Sequence, residues 1–349
     1  MVVNFRQFNI KNTREPDMHR QQLLTGWLHS LYPDETFTLA PASADASFRR
    51  YFRATFADRT LIVMDAPPQH EDCRPFLHIA KLFEDAGTHV PHVYAQDLEQ
   101  GFLLLSDLGN TTYLQAMNAD TAAARGLYEA ATDALIKIQL ASRDNELPPY
   151  DEALLLREMR LFPEWYIAKH LNVTLSSAQS AKLETVFQRI IANNLAQPRV
   201  YVHRDYHSRN LMVTEPNPGI IDFQDAVYGP ITYDLASLFK DAYIHWEEAK
   251  VIDWLVRYWE KARKAGLPVN QDFSEFYRDY EWMAVQRHLK VLGIFARLYH
   301  RDGKEGYLKD LPLVMAYLRA ACVRYIDLKP LLNLLDTLEP QNTREGFTF

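Results

Sequence analysis

Three short apolar segments, Arg199 to His203, Leu211 to Thr214 and Gly219 to Asp222, interrupt a chain that is otherwise helical in pattern from Ala119 onward. Each is too short for a helix and ends on or beside a polar residue, so together they predict a small β-element whose strand ends can carry chemistry. Before it, helical periodicity runs over Ala119 to Ala141, Glu152 to His170 and Ser176 to Leu195, and after it to about Leu338. Residues 1–109 have the opposite character. An opening helix over Met18 to Leu31 is followed by strands at Phe48 to Thr55 and Thr60 to Met64, with Ala57-Asp58-Arg59 as their turn. Cys73 to Ala86 has helical spacing with Gly87 as its stop, and Gly101 to Leu105 has the apolar run of a buried strand. Ser106 to Gly109 marks a break. The expectation is an α+β, bilobal chain: a β-rich N-lobe over 1–109 and a mainly helical C-lobe over 110–349, with Pro340 to Phe349 as a loose tail.

The chemistry lies in Val200 to Val213 and in Ile220-Ile221-Asp222-Phe223. A carboxylate, Asp205, is followed five positions later by an amide, Asn210, and twelve beyond that by a second carboxylate, Asp222. Phosphoryl transfer needs this set: one acid takes the proton of the attacking hydroxyl, while an amide oxygen and another acid hold a divalent ion against the nucleotide phosphates. Mg²⁺ prefers hard oxygen donors and retains water, so two protein ligands suffice.

At these residues the chain resembles the aminoglycoside phosphotransferase and choline kinase superfamily, which shares an H-x-D-x-x-x-x-N motif and an I-D-[FW] segment with protein kinases. The resemblance implies a protein-kinase-like fold, ATP and Mg²⁺ as cofactors, Asp205 as catalytic base, Asn210 and Asp222 as metal ligands, and His203 as their support. It also implies a nucleotide-binding N-lobe with a hinge near 105–109, and a C-lobe with its catalytic segment at 200–234 and a helical substrate region at 235–338. Protein kinases themselves fit poorly: Gln224 follows Asp222-Phe223, and there is no A-P-E segment. The G-P-x-x-Y-D-L-A run from Gly229 to Ala236 is similar to small-molecule kinases, which implies a bracing role for Asp234. Asp225 would be either a further acid near the metal or a second brace.

The nucleotide end departs from the pattern. There is no G-x-G-x-x-G, and Ala42 to Ser47 stands in the place of the phosphate-covering loop. Its small residues would let backbone N–H groups, with Ser43 and Ser47, approach phosphate; an ordinary turn is the alternative. Met64 stands where the phosphate-binding lysine is expected, and no glutamate is evident at the usual partner position. Arg49, Arg50 and Arg53 are candidates to replace that charge, with Arg49 and Arg53 on one strand face and Arg50 on the other; a solvated face explains them equally. Leu105, Asp107 and Leu108 would hold adenine through backbone groups.

Between Glu281 and Arg301, Arg287, Lys290, Arg297 and Arg301 fall close to one helical face. With Arg209 they would orient an anionic or polyhydroxylated substrate; the alternative is a solvated face. A basic helix disfavours a polycationic aminoglycoside or choline. The wider pattern of His203 to Asn210, Gly293 to Leu298 and Arg301 to Lys304 is similar to the bacterial N-acetylmuramate/N-acetylglucosamine kinases of cell-wall sugar recycling, which implies phosphorylation of a sugar's anomeric hydroxyl. Other acceptors (an aminoglycoside, choline, another sugar) are the alternatives, as is a nucleotide-binding scaffold without turnover, which Met64 motivates.

The formal charge of −7, from 38 basic and 45 acidic side chains, excludes attraction to nucleic acid or anionic lipid by charge alone. Cys73 and Cys322 form no ligand or disulfide pattern, and no apolar run approaches the ~20 residues of a membrane span. The expectation is a cytoplasmic protein with a small-molecule sugar partner and no nucleic acid, membrane or obligate protein partner.

Overall fold

The computed structural model describes residues 14–43 and 48–339. The chain forms two compact units, one of residues 1–77 and 91–107, the other of residues 78–90 and 108–349. Ser47 and the tail from Pro340 lie outside the described residues.

In the first unit, α1 (Arg14–Leu31) precedes β1 (Thr38–Ser43), β2 (Arg50–Thr55) and β3 (Thr60–Asp65); α2 (Arg74–Asp85) crosses into the second unit before β4 (Val93–Asp97) and β5 (Phe102–Ser106) complete a sheet in the order β1-β2-β3-β5-β4. Its neighbouring strands are antiparallel. Period-2 alternation puts Phe52 and Ala54 of β2, Leu61 and Val63 of β3 and Phe102 and Leu104 of β5 on one face, where they bury against Leu24 and Leu28 of α1. The opposite face carries the registered rows Tyr51–Met64–Leu103 and Arg53–Ile62–Leu105. Asp65 is fully buried and accepts hydrogen bonds from Arg20 Nε at 2.9 Å and Arg50 Nε at 3.0 Å, an ion triad that fastens α1 to the sheet.

In the second unit, α3 (Tyr113–Ala119) and α4 (Ala124–Leu140) are separate, although the periodicity runs on from Ala119. Asp120 separates them: its side chain accepts the Ala122 N–H at 2.9 Å and starts a new helical turn. Likewise α5 (Glu152–Leu161) gives way to a π-helical stretch, Phe162–His170, where the sequence pattern predicts one helix. Pro163 has no N–H for the ladder, and the wider turns accommodate it. Next come α6 (Ser177–Leu195), whose first turn is closed by the Ser176/Gln179 capping box, and the β-element of β6 (Arg199–Val202), β7 (Leu211–Met212), β8 (Gly219–Ile220) and β9 (Val227–Pro230). β6 pairs with β9, and β7 with β8. Five α-helices follow among the described residues: α7 (Tyr233–Phe239), α8 (Glu248–Ala265), α9 (Phe273–Asp302), α10 (Leu311–Arg324) and α11 (Lys329–Leu338). The 30-residue α9 is its central rod, buried along most of its length and packed against α5, α6, α7, α10 and the π-helical stretch. Gly293 permits a close approach to the end of α5, since a Cβ there would lie 2.4 Å from the Leu161 backbone carbon. No helix among the described residues is long and apolar enough to cross a membrane.

Candidate active site

After β6 the chain turns sharply, and Arg204 takes φ 75°, a left-handed conformation that side chains other than glycine's disfavour. Two side chains hold it there. Buried Asp234, in the first turn of α7, accepts the N–H of His203 at Oδ2 (2.7 Å) and of Arg204 at Oδ1 (3.0 Å). Burial pushes the Asp234 carboxyl up to about 7, against the pull of these two bonds and of Arg287. His203 Nδ1 accepts the Asp205 N–H at 3.2 Å, so the ring proton sits on Nε2 and is donated to the Ile221 carbonyl at 3.0 Å. The buried imidazole, stacked near Phe83 and edge-on to Tyr206, is driven down to about 4 by burial and is therefore neutral.

The β7–β8 hairpin supplies the other two groups. Leu211 pairs with Ile220, so Asn210 and Ile221 stand opposite each other, with the Ile221 N–H on the Asn210 carbonyl at 3.1 Å. Asp222, at φ 64°, is the next residue. Asn210 Nδ2 donates to Asp222 Oδ2 at 3.2 Å and to the Asp205 backbone carbonyl at 3.0 Å, so one amide ties all three positions together. Gln224 Nε2 holds Asp222 Oδ1 at 2.9 Å.

The Asp205 side chain is 38% exposed, with Arg287 Nη1 3.7 Å from Oδ1. Burial opposes its charge, but Lys290 and Arg287 above all hold the carboxyl well below the ordinary carboxylate range. These cations are themselves held. Arg287 Nη1 donates to the Arg204 carbonyl at 2.8 Å, and Lys290 Nζ to the Tyr233 hydroxyl at 3.1 Å. Behind them lies Glu158 of α5, which is buried. It pairs with Arg204 and, at 3.2 Å, with Lys290, and accepts the Tyr150 hydroxyl and Gln286 Nε2. Burial disfavours its charge, yet Lys290 and Arg204 hold the carboxyl down to about 2.

The phosphotransferase enzyme family matches residues 38–271. The chain belongs to that family. Over 337 residues it is 51% identical to the N-acetylmuramate/N-acetylglucosamine kinase of Neisseria meningitidis serogroup B, covering 95% of this chain and all of that one. It is also 51% identical to the kinase of the same name from Pseudomonas putida, over 93% and 98% of the two chains. The Caulobacter vibrioides kinase is 30% identical over 78% of this chain and 85% of its own. Among solved structures it is similar to the choline kinase LicA of Streptococcus pneumoniae (TM-score 0.61, 13% identity, 86% and 99% of the chains). An ADP-bound aminoglycoside phosphotransferase gives a TM-score of 0.57 at 15% identity, over 84% and 97% of the chains. The phosphotransferase is thus a small-molecule kinase on an α+β, protein-kinase-like fold.

Glu158 is a residue of this phosphotransferase that its sequence motifs do not announce. Its signal was in the helix period: Glu158 lies three residues after Leu155 and four before Phe162, on the same apolar face. The expected basic stripe on α9 also divides. Arg287 and Lys290 are buried in the ion network and not solvated; Arg297 is half-buried, and Arg301 pairs with exposed Asp302. Asp225 is exposed, and its carbonyl accepts from Arg204 Nη1 at 3.2 Å. Arg209 rests on the Tyr243 ring, its guanidinium carbon 3.5 Å from the centroid.

In the first unit, Ser43 ends β1 and Met64 is buried between Tyr51 and Leu103. The three arginines are engaged by carboxylates: Arg49 faces Glu71 at 3.9 Å, Arg50 binds Asp65, and Arg53 forms a two-pronged pair with Asp107 that includes Nη2 to Oδ1 at 3.0 Å. That pairing raises the Arg53 pKa further. Leu105 is buried in β5, and Leu108 is buried in the second unit.

Proposed function

We propose that this kinase transfers the γ-phosphoryl group of ATP, with Mg²⁺, to the anomeric hydroxyl of N-acetylmuramate or N-acetylglucosamine in the cytoplasm, with no obligate protein, membrane or nucleic acid partner. The observation that carries the proposal is the trio Asp205, Asn210 and Asp222, joined through one amide, in a chain half identical to curated kinases for these two sugars. The two buried, unpaired cysteines suit a reducing compartment.

Asp205 accepts a hydrogen bond from the acceptor hydroxyl. Its depressed pKa makes it a weak base, so it orients the hydroxyl first and takes the proton as the new O–P bond forms and the bond from γ-phosphorus to the oxygen of departing ADP breaks. Arg287 keeps the carboxylate ionised and aimed, while His203 and Asp234 fix the backbone from which it projects. The donors on offer suit Mg²⁺: Asp222 and the Asn210 amide oxygen are hard oxygens, to which phosphate and water oxygens would be added. Bound there, the ion would neutralise charge on the phosphate oxygens. We assign Asp225 as either a further acid near that pair or a second brace of the loop. On the nucleotide side we assign Ser43 and Ser47 to the phosphates, Leu105 and Leu108 to adenine, and the charge of the absent lysine to Arg49 or Arg53, with Asp107 positioning Arg53.

Asp205→Asn should leave the thermal shift by MgATP intact and lower kcat by about 10²- to 10⁴-fold. A panel of acceptors followed by ADP release, with 31P NMR of the product, identifies the hydroxyl. Near-normal turnover by the variant, or preference for an acceptor that is not an amino sugar, would overturn the reading.

A further inference from the structure

We propose that Arg209 is the specificity-determining residue that receives the carboxylate of the acceptor, and so favours N-acetylmuramate over N-acetylglucosamine. The inference rests on the amino-sugar reading above and goes beyond it in naming the residue that tells the two acceptors apart.

Four cations surround the catalytic segment. Arg204 and Lys290 are paired with Glu158, and Arg287 lies 3.7 Å from Asp205. Arg209 differs: among the described residues its guanidinium makes no hydrogen bond and no ion pair, and its one close partner is the face of Tyr243. Asp310 is near enough to feel its charge but lies beyond ion-pair distance. A side chain with five N–H donors is thus seated without an acceptor four residues after the catalytic base.

The seat itself is built. Buried Asp241 accepts the Ser208 N–H at 3.0 Å through Oδ2, and the Tyr243 N–H at 3.1 Å through Oδ1. It therefore holds both the residue before Arg209 and the ring beneath it. His207 meets the same ring edge-on with centroids 5.4 Å apart, and Phe295 flanks it at 6.0 Å. A guanidinium resting on an aromatic face keeps its N–H edge open, and that edge matches the two oxygens of a carboxylate. The two acceptors differ in such a group: N-acetylmuramate carries a lactyl carboxylate that N-acetylglucosamine lacks. Asp205 and Arg209 stand four residues apart on the loop between β6 and β7, and the assignment puts the acceptor's hydroxyl at the first and its carboxylate at the second.

Arg209→Gln removes the charge and Arg209→Lys keeps it without the two-pronged geometry; both are assayed with each sugar. For Gln, KM for N-acetylmuramate should rise by about 10- to 100-fold with kcat little changed, while both constants for N-acetylglucosamine stay within about threefold. Lys should fall between Gln and wild type. Equal losses in kcat for the two sugars would assign Arg209 to the transferred phosphoryl group and overturn the proposal, as would no change with either. Should wild-type enzyme phosphorylate neither sugar, the amino-sugar reading fails and this assignment with it; should it phosphorylate both and the variants lose them alike, only this assignment fails.

Discussion

Replacing Glu158 with glutamine keeps the side chain's shape and removes one buried charge. In the native enzyme Glu158 Oε1 faces Lys290 Nζ at 3.2 Å and pairs with Arg204, and the Glu158, Lys290 and Arg204 side chains are 6%, 7% and 18% exposed. At an effective dielectric constant of about 20, a charge pair at that separation attracts by about 5 kcal/mol. Desolvation of both partners offsets much of this, so the intact network adds little over apolar packing, whereas removing one member strands the others. Two cations then share a site with a neutral amide, and the expected loss of stability is about 3–5 kcal/mol. For a unit of this size that corresponds to a fall in Tm of roughly 6–20 °C. Urea denaturation of wild type, Glu158→Gln, Lys290→Met and the double variant measures it. The double variant should recover about 1–3 kcal/mol relative to additivity. The uncovered positive charges also depress the Asp205 carboxyl further, so kcat should fall alongside stability. A Glu158→Gln protein within 1 kcal/mol of wild type, or a cycle that simply adds, would refute the description of this network as a set of mutually compensated charges.

Two further outcomes follow from the same geometry. Gly293→Ala puts a Cβ 2.4–2.5 Å from Leu161 backbone and side-chain atoms, so α9 must shift; it should cost about 3 kcal/mol in a chemical melt and lower kcat, because α9 carries Arg287 and Lys290. His203, driven down to about 4 from 6.5, takes up a proton on unfolding, so its contribution to stability is whole above pH 6.5 and is lost as pH falls toward 4. Asp234, raised to about 7, acts in the opposite sense, and a site-specific measurement separates the two. Histidine 15N NMR at pH 5.5 should show His203 neutral with its proton on Nε2, and an imidazolium at that pH would disprove the assignment.

The meeting of Asp205, Asn210 and Asp222 was legible because its geometry is local. A five-residue spacing and a short hairpin bring Asp205, Asn210 and Asp222 together from within 18 positions of one another, and phosphoryl transfer admits few other residue types there. The β-rich character of β2 and β3 and the apolar run of β5 likewise declared those three strands, though not their order in the sheet. Helix limits were less faithful where one polar or cyclic residue acts against the period, as at Asp120 and Pro163.

Charge was where sequence ran out. Helical spacing alone determined that Arg287, Lys290 and Arg297 share a face of α9, but a cationic face means solvent, substrate or a buried counter-ion according to what covers it. The approach of α5, permitted at Gly293, settles that question by bringing in Glu158, which lies 132 positions from Lys290 in the chain. Asp65 with Arg20 and Arg50, and Asp241 with Ser208 beneath the Arg209 seat, are decided the same way. The order of residues dictates which groups can do chemistry, because spacing within a loop is a property of the chain. Which charges are compensated by a buried partner is a property of packing between distant segments, and only the folded molecule has it.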